Sequence, residues 1–126
     1  MATAGIYDIT IDQGATWNLE VQWQDSTGTG VNMTGYDVRA QIRTNYASKG
    51  GTELVNLALD PLLLPNTTGI SWSDATKGSF WLTISSTDTG ELPAGLLVWD
   101  LEAESAGGEV TRLLMGSVTV RAEVTR

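Results

Sequence analysis

This sequence predicts an all-β fold, an antiparallel β-sandwich of seven to eight short strands that ends in a long hairpin. Three observations predict it. Apolar and polar residues alternate with a period of two along several segments, as on a strand with one dry and one wet face. Turn-forming residues recur about every ten to fifteen positions. The composition, with 14 glycines, many threonines and serines, and an apolar share of 41% broken into short runs, is that of strands joined by turns. An immunoglobulin-like or jelly-roll-like sandwich is the expected architecture, with a small barrel as the other closure that such strands allow. One domain spanning residues 1–126 suffices, and at that size roughly two-thirds of the unfolded surface can be buried. No linker-like run and no repeat of fixed period divides it.

Taken in order, Tyr7, Ile9 and Ile11 alternate with Asp8, Thr10 and Asp12, which makes a first strand with acidic residues facing water. Gln13-Gly14-Ala15 breaks it. Trp17, Leu19, Val21 and Trp23 then alternate with Asn18, Glu20, Gln22 and Gln24. Burying those four side chains contributes roughly 1.5 to 3 kcal/mol each, so this strand is expected to be central to the core. Asp25 to Gly30 is turn chemistry. Val38, Ala40 and Ile42 face inward on the third strand, and Asp37, Arg39, Gln41 and Arg43 face outward. A polar loop, Asn45 to Gly51, leads to a fourth strand over Glu53 to Leu59, a stretch that also fits a helical turn.

Between Pro61 and Pro65 stand Leu62, Leu63 and Leu64, in a segment that cannot sit in a central strand. It reads first as a loop folded over the end of the core and second as a contact surface. Ile70 and Trp72 begin a short strand, and Asp74 to Gly78 turns the chain. Phe80, Leu82 and Ile84 face inward against Ser79, Trp81, Thr83 and Ser85, which puts Trp81 on the wet side. Ser86 to Gly90 suits a single helical turn. The terminal hairpin runs from Leu96 to Ala122. Leu97, Trp99, Leu101 and Ala103 alternate with Val98, Asp100, Glu102 and Glu104, and Ser105 to Glu109 supplies the reversal with two glycines. In the return strand Val110, Leu114, Val118, Val120 and Ala122 share one parity. Leu113 and Met115 on the other imply that part of this strand lies inside a sheet or under a partner chain.

The chain has no Cys and no His. Disulfides, thiolate metal sites, cysteine nucleophiles and the commonest general base are thereby removed, and no enzyme activity and no cofactor is expected. The formal net charge of −8, with seven scattered Lys and Arg, argues against nucleic acid and anionic membrane as partners. Met1 to Gly5 lacks the basic start and apolar core of a signal peptide, and no run reaches the roughly 20 apolar residues needed to span a bilayer. A soluble protein made in the cytoplasm is the expectation.

Asp100, Glu102 and Glu104 share one strand face, where a paired-carboxylate hydrolase would place its two groups. Carboxylates at alternate outward positions more commonly form a solvated surface. Asp8, Asp12 and Asp60 are weighed for calcium, but the spaced Asp and Asn ladder of a calcium loop is missing. Four of the five tryptophans, Trp17, Trp23, Trp72 and Trp99, fall on apolar faces and suit the core. Trp81 is left as a free aromatic, suited to a protein interface or a sugar. The residues singled out for contact are Trp81, Leu62, Leu63, Leu64, Arg39, Arg43, Leu113 and Met115, with Arg112 and Arg121 as further surface cations.

Gln13-Gly14-Ala15-Thr16, the alternation Trp17 to Trp23, Met33 to Arg43, and the closing Trp99-Asp100-Leu101, Gly116 to Val120 and Val124-Thr125-Arg126 together resemble a family. It is that of small virion modules of tailed bacteriophages, similar to the N-terminal domain of baseplate upper proteins. The resemblance covers nearly the whole chain and brings no catalytic residue. It implies a β-sandwich acting as an assembly or adaptor subunit of a tail or baseplate, or as a neck or head decoration protein. The implied partners are other virion proteins and copies of itself in a homo-oligomer, and the implied location is the virion. A glycan-binding module using Trp81 is the alternative function.

Overall fold

The computed structural model describes residues 5–124. The strands are β1 (Gly5–Ile6), β2 (Ile9–Asp12), β3 (Trp17–Gln22), β4 (Asp37–Arg43), β5 (Glu53–Ala58), β6 (Gly69–Asp74), β7 (Ser79–Ile84), β8 (Gly95–Glu104) and β9 (Val110–Arg121), with one helical turn, α1 (Ser86–Gly90). They form two sheets. The larger has six strands in the order β1-β9-β8-β4-β5, with β2 also on β9, and the smaller has the order β3-β7-β6. The β-sandwich class read from the sequence holds, and the long terminal hairpin is β8 and β9.

Pairing is antiparallel except at the start of the chain, where β1 and β2 run parallel to β9, with Ile11 opposite Val120. The core lies between the sheets. Val38, Ala40 and Ile42 from β4, Trp99 and Leu101 from β8, and Val118 and Val120 from β9 meet Ile70, Phe80, Leu82 and Ile84 of the smaller sheet. Each of these alternates with an outward residue, as the period of two requires.

Trp99 shows how closely the layers fit. It faces Gly116 across the hairpin, and its indole N–H donates to the carbonyl of Tyr7 at 2.8 Å. A Cβ on Gly116 would stand 2.3 Å from that same carbonyl oxygen, so the absence of a side chain there lets β1 and β2 approach β9. The kink at Tyr7 and Asp8 divides the predicted first strand in two. Tyr7 turns outward and is exposed, whereas Ile9 and Ile11 are buried, and the Asp8 carboxylate accepts from Ser117 N–H at 2.9 Å.

Other expectations need correction for identifiable reasons. The strand from Trp17 is an edge strand, paired with β7 alone, and Trp17, Leu19, Val21 and Trp23 are only half-buried. Alternation recorded which side of β3 is dry, but one neighbour cannot cover it fully. Val110 is exposed because the ladder slips between Leu101 and Glu102, and this bulge puts Val110 opposite the outward Glu104. Ala122 lies beyond the end of β9 and is also exposed. Thr83, expected on the wet side, is buried and donates its hydroxyl to Asn18 Oδ1 at 2.8 Å. The leucine loop does not close over the core. Leu62 is 85% and Leu64 72% exposed, and only Leu63 tucks in, against Gly69.

Candidate functional site

Five strands present outward-facing residues on the outside of the larger sheet, and the register arranges these residues in rows. Ile6, Met115, Asp100, Gln41 and Asn56 follow one another across β1, β9, β8, β4 and β5. The row to one side runs Arg112, Glu102, Arg39 and Ala58. On the other side Ser117, Val98 and Arg43 lead to Glu53. The loop from β4 to β5 closes this surface at one end, and Tyr46 and Ser48 help to line a cleft of about 470 Å3 with Arg39, Arg43, Val98, Asp100, Arg112 and Met115.

The charges in this cleft are unequally engaged. Arg39 is the most constrained, donating from Nε to Glu102 at 2.6 Å and from Nη1 to Glu104 at 2.8 Å. Those two carboxylates hold its proton more firmly than usual, Glu104 foremost. Arg112 Nε approaches Asp100 at 3.5 Å. Burial pushes the Asp100 carboxyl above its ordinary range; Arg112 opposes the rise, Glu102 adds to it, and Arg43 also opposes it. Arg43 donates only to neutral oxygens, from Nε to the Gln41 side chain and from Nη1 to the Gly51 carbonyl, both at 3.0 Å. Gln41 is fixed in turn by its donation to Glu53 at 2.7 Å. Three arginines and two carboxylates line the cleft; Glu104 and Asp37 also flank Arg39, and Arg43 is the cation whose hydrogen bonds go to neutral oxygens.

Of the contact residues read from the sequence, the structure brings Arg39, Arg43 and Met115 together here. Leu113 sits in the β9 bulge, packed against the core. Leu62, Leu63 and Leu64 lie in the loop between β5 and β6. Trp81 is on the outer face of the smaller sheet, 37% exposed, with Glu20 and Ser71 beside it in register. Gln41 and Val98 carry the outward parity that could have pointed to the cleft. Tyr46 and Ser48 carry no such signal, since their place depends on how the loop folds back.

The carboxylates weighed for calcium have other work. Asp12 pairs with Arg121, which holds its carboxyl below the usual range, and Asp60 Oδ1 accepts from Leu62 N–H at 3.0 Å. Among the described residues no group of three or more His, Cys, Asp and Glu is placed to hold a metal ion. A smaller cleft of about 360 Å3 beside β5 and α1 is lined by Glu53, Asp88 and Glu91 and by no basic side chain. No described helix is long and apolar enough to cross a membrane.

No protein-family model matches the chain, and a search of curated proteins finds no match. Among solved structures the chain is similar to CopC from Methylosinus trichosporium OB3b, with a TM-score of 0.48 and 14% identity over 93% of this chain and 88% of that one. These findings correct the expected function. No family model and no curated protein links the chain to a tail, baseplate, neck or head module, and the virion assembly role and its host-glycan alternative are withdrawn. The physical reason lies in the residues that carried the resemblance. Val38, Ala40, Ile42, Trp99, Leu101, Val118 and Val120 are core positions, and such alternation is the common requirement of sandwiches rather than the mark of one function.

Proposed function

We propose that this chain is a non-catalytic binding module that takes a polypeptide segment on the outer face of its larger sheet, in the cleft between β4, β8, β9 and the β4–β5 loop. The observation that carries this reading is the lining itself. Arg39, Arg43 and Arg112 surround Val98, Tyr46 and Met115 in one concave surface, and Arg, Tyr and Met are the residue types enriched where proteins meet. Arg43 is the anchor, because among the described residues it forms hydrogen bonds to neutral groups and no ion pair. A partner side chain with a carboxylate next to an apolar group suits this surface, the carboxylate on Arg43 and the apolar group on Val98 and Met115. The lack of His and Cys supports a binding role over a catalytic one.

Selection from a random peptide library against the whole chain tests this. Peptides that carry an Asp or Glu beside an apolar residue are expected to bind, and Arg43→Gln is expected to weaken them by about tenfold, the loss of one charge-assisted hydrogen bond. Trp81→Ala, on the other sheet, should leave them unchanged. Failure to select any peptide, or selected peptides indifferent to Arg43→Gln, overturns the reading.

A further inference from the structure

Unlike the cleft, the smaller sheet has a feature that points to a second copy of this chain. Its first strand, β3, is a bare edge. The other strand edges carry some protection: β1 has two residues, β6 has an irregular register near Trp72 and a bridge from Ile70 to Leu59, and β5 ends at that same bridge. β3 reads WNLEVQ, with no proline, no lysine and no bulge in its ladder and a single charge, Glu20, so it carries few of the devices by which edges are ordinarily kept apart.

The direction of its free backbone groups follows from Trp23. Its N–H donates to Gly78 O at 2.9 Å and its C=O accepts from Val31 N–H at 2.8 Å, both on the β7 side. Backbone groups of successive residues point to opposite sides of a strand. Trp17, Leu19 and Val21 therefore turn theirs to β7, and Asn18, Glu20 and Gln22 turn theirs to the open edge. The inward side chains of the same strand are half-exposed, so the edge offers a hydrogen-bonding row and an apolar strip together.

We propose that β3 pairs antiparallel with β3 of a second copy about a two-fold axis at Leu19, joining the two smaller sheets into one continuous sheet of six strands. The side chains fit this register. With the axis at Leu19, Leu19 meets its own copy, Trp17 meets Val21, and Asn18 meets Glu20. Moving the axis to Glu20 sets two carboxylates directly opposite, which is destabilising. A shift by one residue places apolar against polar faces. Asn18 is prepared for its partner, since its Oδ1 already accepts from the buried Thr83 hydroxyl at 2.8 Å, which leaves the amide hydrogens to donate to Glu20 of the other copy. Isologous pairing of one patch with itself is the commonest symmetry of oligomers.

Sedimentation velocity over a concentration series tests the proposal with the whole chain. Wild type is expected to dimerise reversibly, and more tightly as salt screens the repulsion between two chains of net charge −8. Asn18→Asp, which keeps the shape and still accepts from Thr83, sets two like-charged pairs across the axis and should weaken the dimer by about tenfold. Adding Glu20→Lys to that variant turns both pairs into attractive ones and should restore it. Amide hydrogen exchange of wild type gives a readout free of any folding effect: exchange at Asn18, Glu20 and Gln22 should slow with concentration. A wild type that stays monomeric, an Asn18→Asp dimer as tight as wild type, or exchange at those three amides independent of concentration overturns it.

Discussion

Gly116 and Trp99 are complementary residues, one absent side chain making room for the contacts of a large one. The indole is buried at 3% exposure, and its N–H reaches the Tyr7 carbonyl that a Cβ on Gly116 would strike. Gly116→Ala is therefore expected to destabilise the fold by about 1–3 kcal/mol through overpacking against backbone, read as a lower urea midpoint followed by tryptophan fluorescence. Asp100 provides a prediction of opposite sign. Its carboxyl titrates higher in the folded chain than in the unfolded one, chiefly through burial. The protonated form thus favours folding, and that contribution is complete below the unfolded carboxylate range and is lost as pH rises through the folded value. Asp100→Asn should raise the urea midpoint near neutral pH, and the gap from wild type should close as pH falls below about 3.9, the ordinary Asp value. Asp12 behaves the other way. Arg121 holds its carboxyl low, so its contribution is present above the unfolded value and is lost as pH falls through the folded one.

At the scale of elements, α1 is held less by its own five residues than by one hydroxyl. Thr89 is fully buried; it donates to Ala15 O at 2.8 Å and accepts from Gly14 N–H at 3.1 Å, which pins the helical turn to the loop between β2 and β3. Thr89→Val keeps the shape and leaves both backbone groups unpaired, at a cost of about 1–3 kcal/mol in a denaturation curve. The alternation of polar and apolar residues made most elements legible. On β4, β7 and β8 each inward position read from the sequence is buried. It failed where pairing departs from a simple ladder. The slip between Leu101 and Glu102 reverses the face of Val110, and nothing in the run Val110-Thr111-Arg112 announces a slip, because a bulge is an agreement between two strands. The candidate cleft was legible in part for the same reason. Arg39 and Arg43 share a face by parity, but the place of Tyr46 in the cleft lining depends on how the β4–β5 loop folds.

Across the whole molecule, β2 and the residue after it lie against the end of β9. Asp12 and Arg121, 109 positions apart, form a bidentate pair, and the Gln13 side chain donates to Leu92 O at 2.7 Å while accepting from Glu123 N–H at 3.0 Å. The larger sheet cannot be completed until β2 docks on β9, so the fold depends on contacts that close very long loops. Stopped-flow refolding is expected in the milliseconds-to-seconds range typical of such β topologies; a relaxation in microseconds would contradict it. The charge distribution also belongs to this scale. The chain is acidic overall, yet the three arginines of the cleft lie on one face, which a count of charges along the sequence does not reveal.

What the sequence alone determined was the side of each strand that is dry, because a period of two is a local property of an extended backbone and shows in any five or six residues. Class, hairpin and most core residues follow from it. The tertiary structure decided which strands lie at an edge, and hence that the clearest alternation in the chain, Trp17 to Trp23, is half-covered instead of central. It also decided which outward residues gather into a cleft. Both are set by neighbours distant in the chain, and a side chain's burial depends on how many strands and which opposing sheet come to cover it.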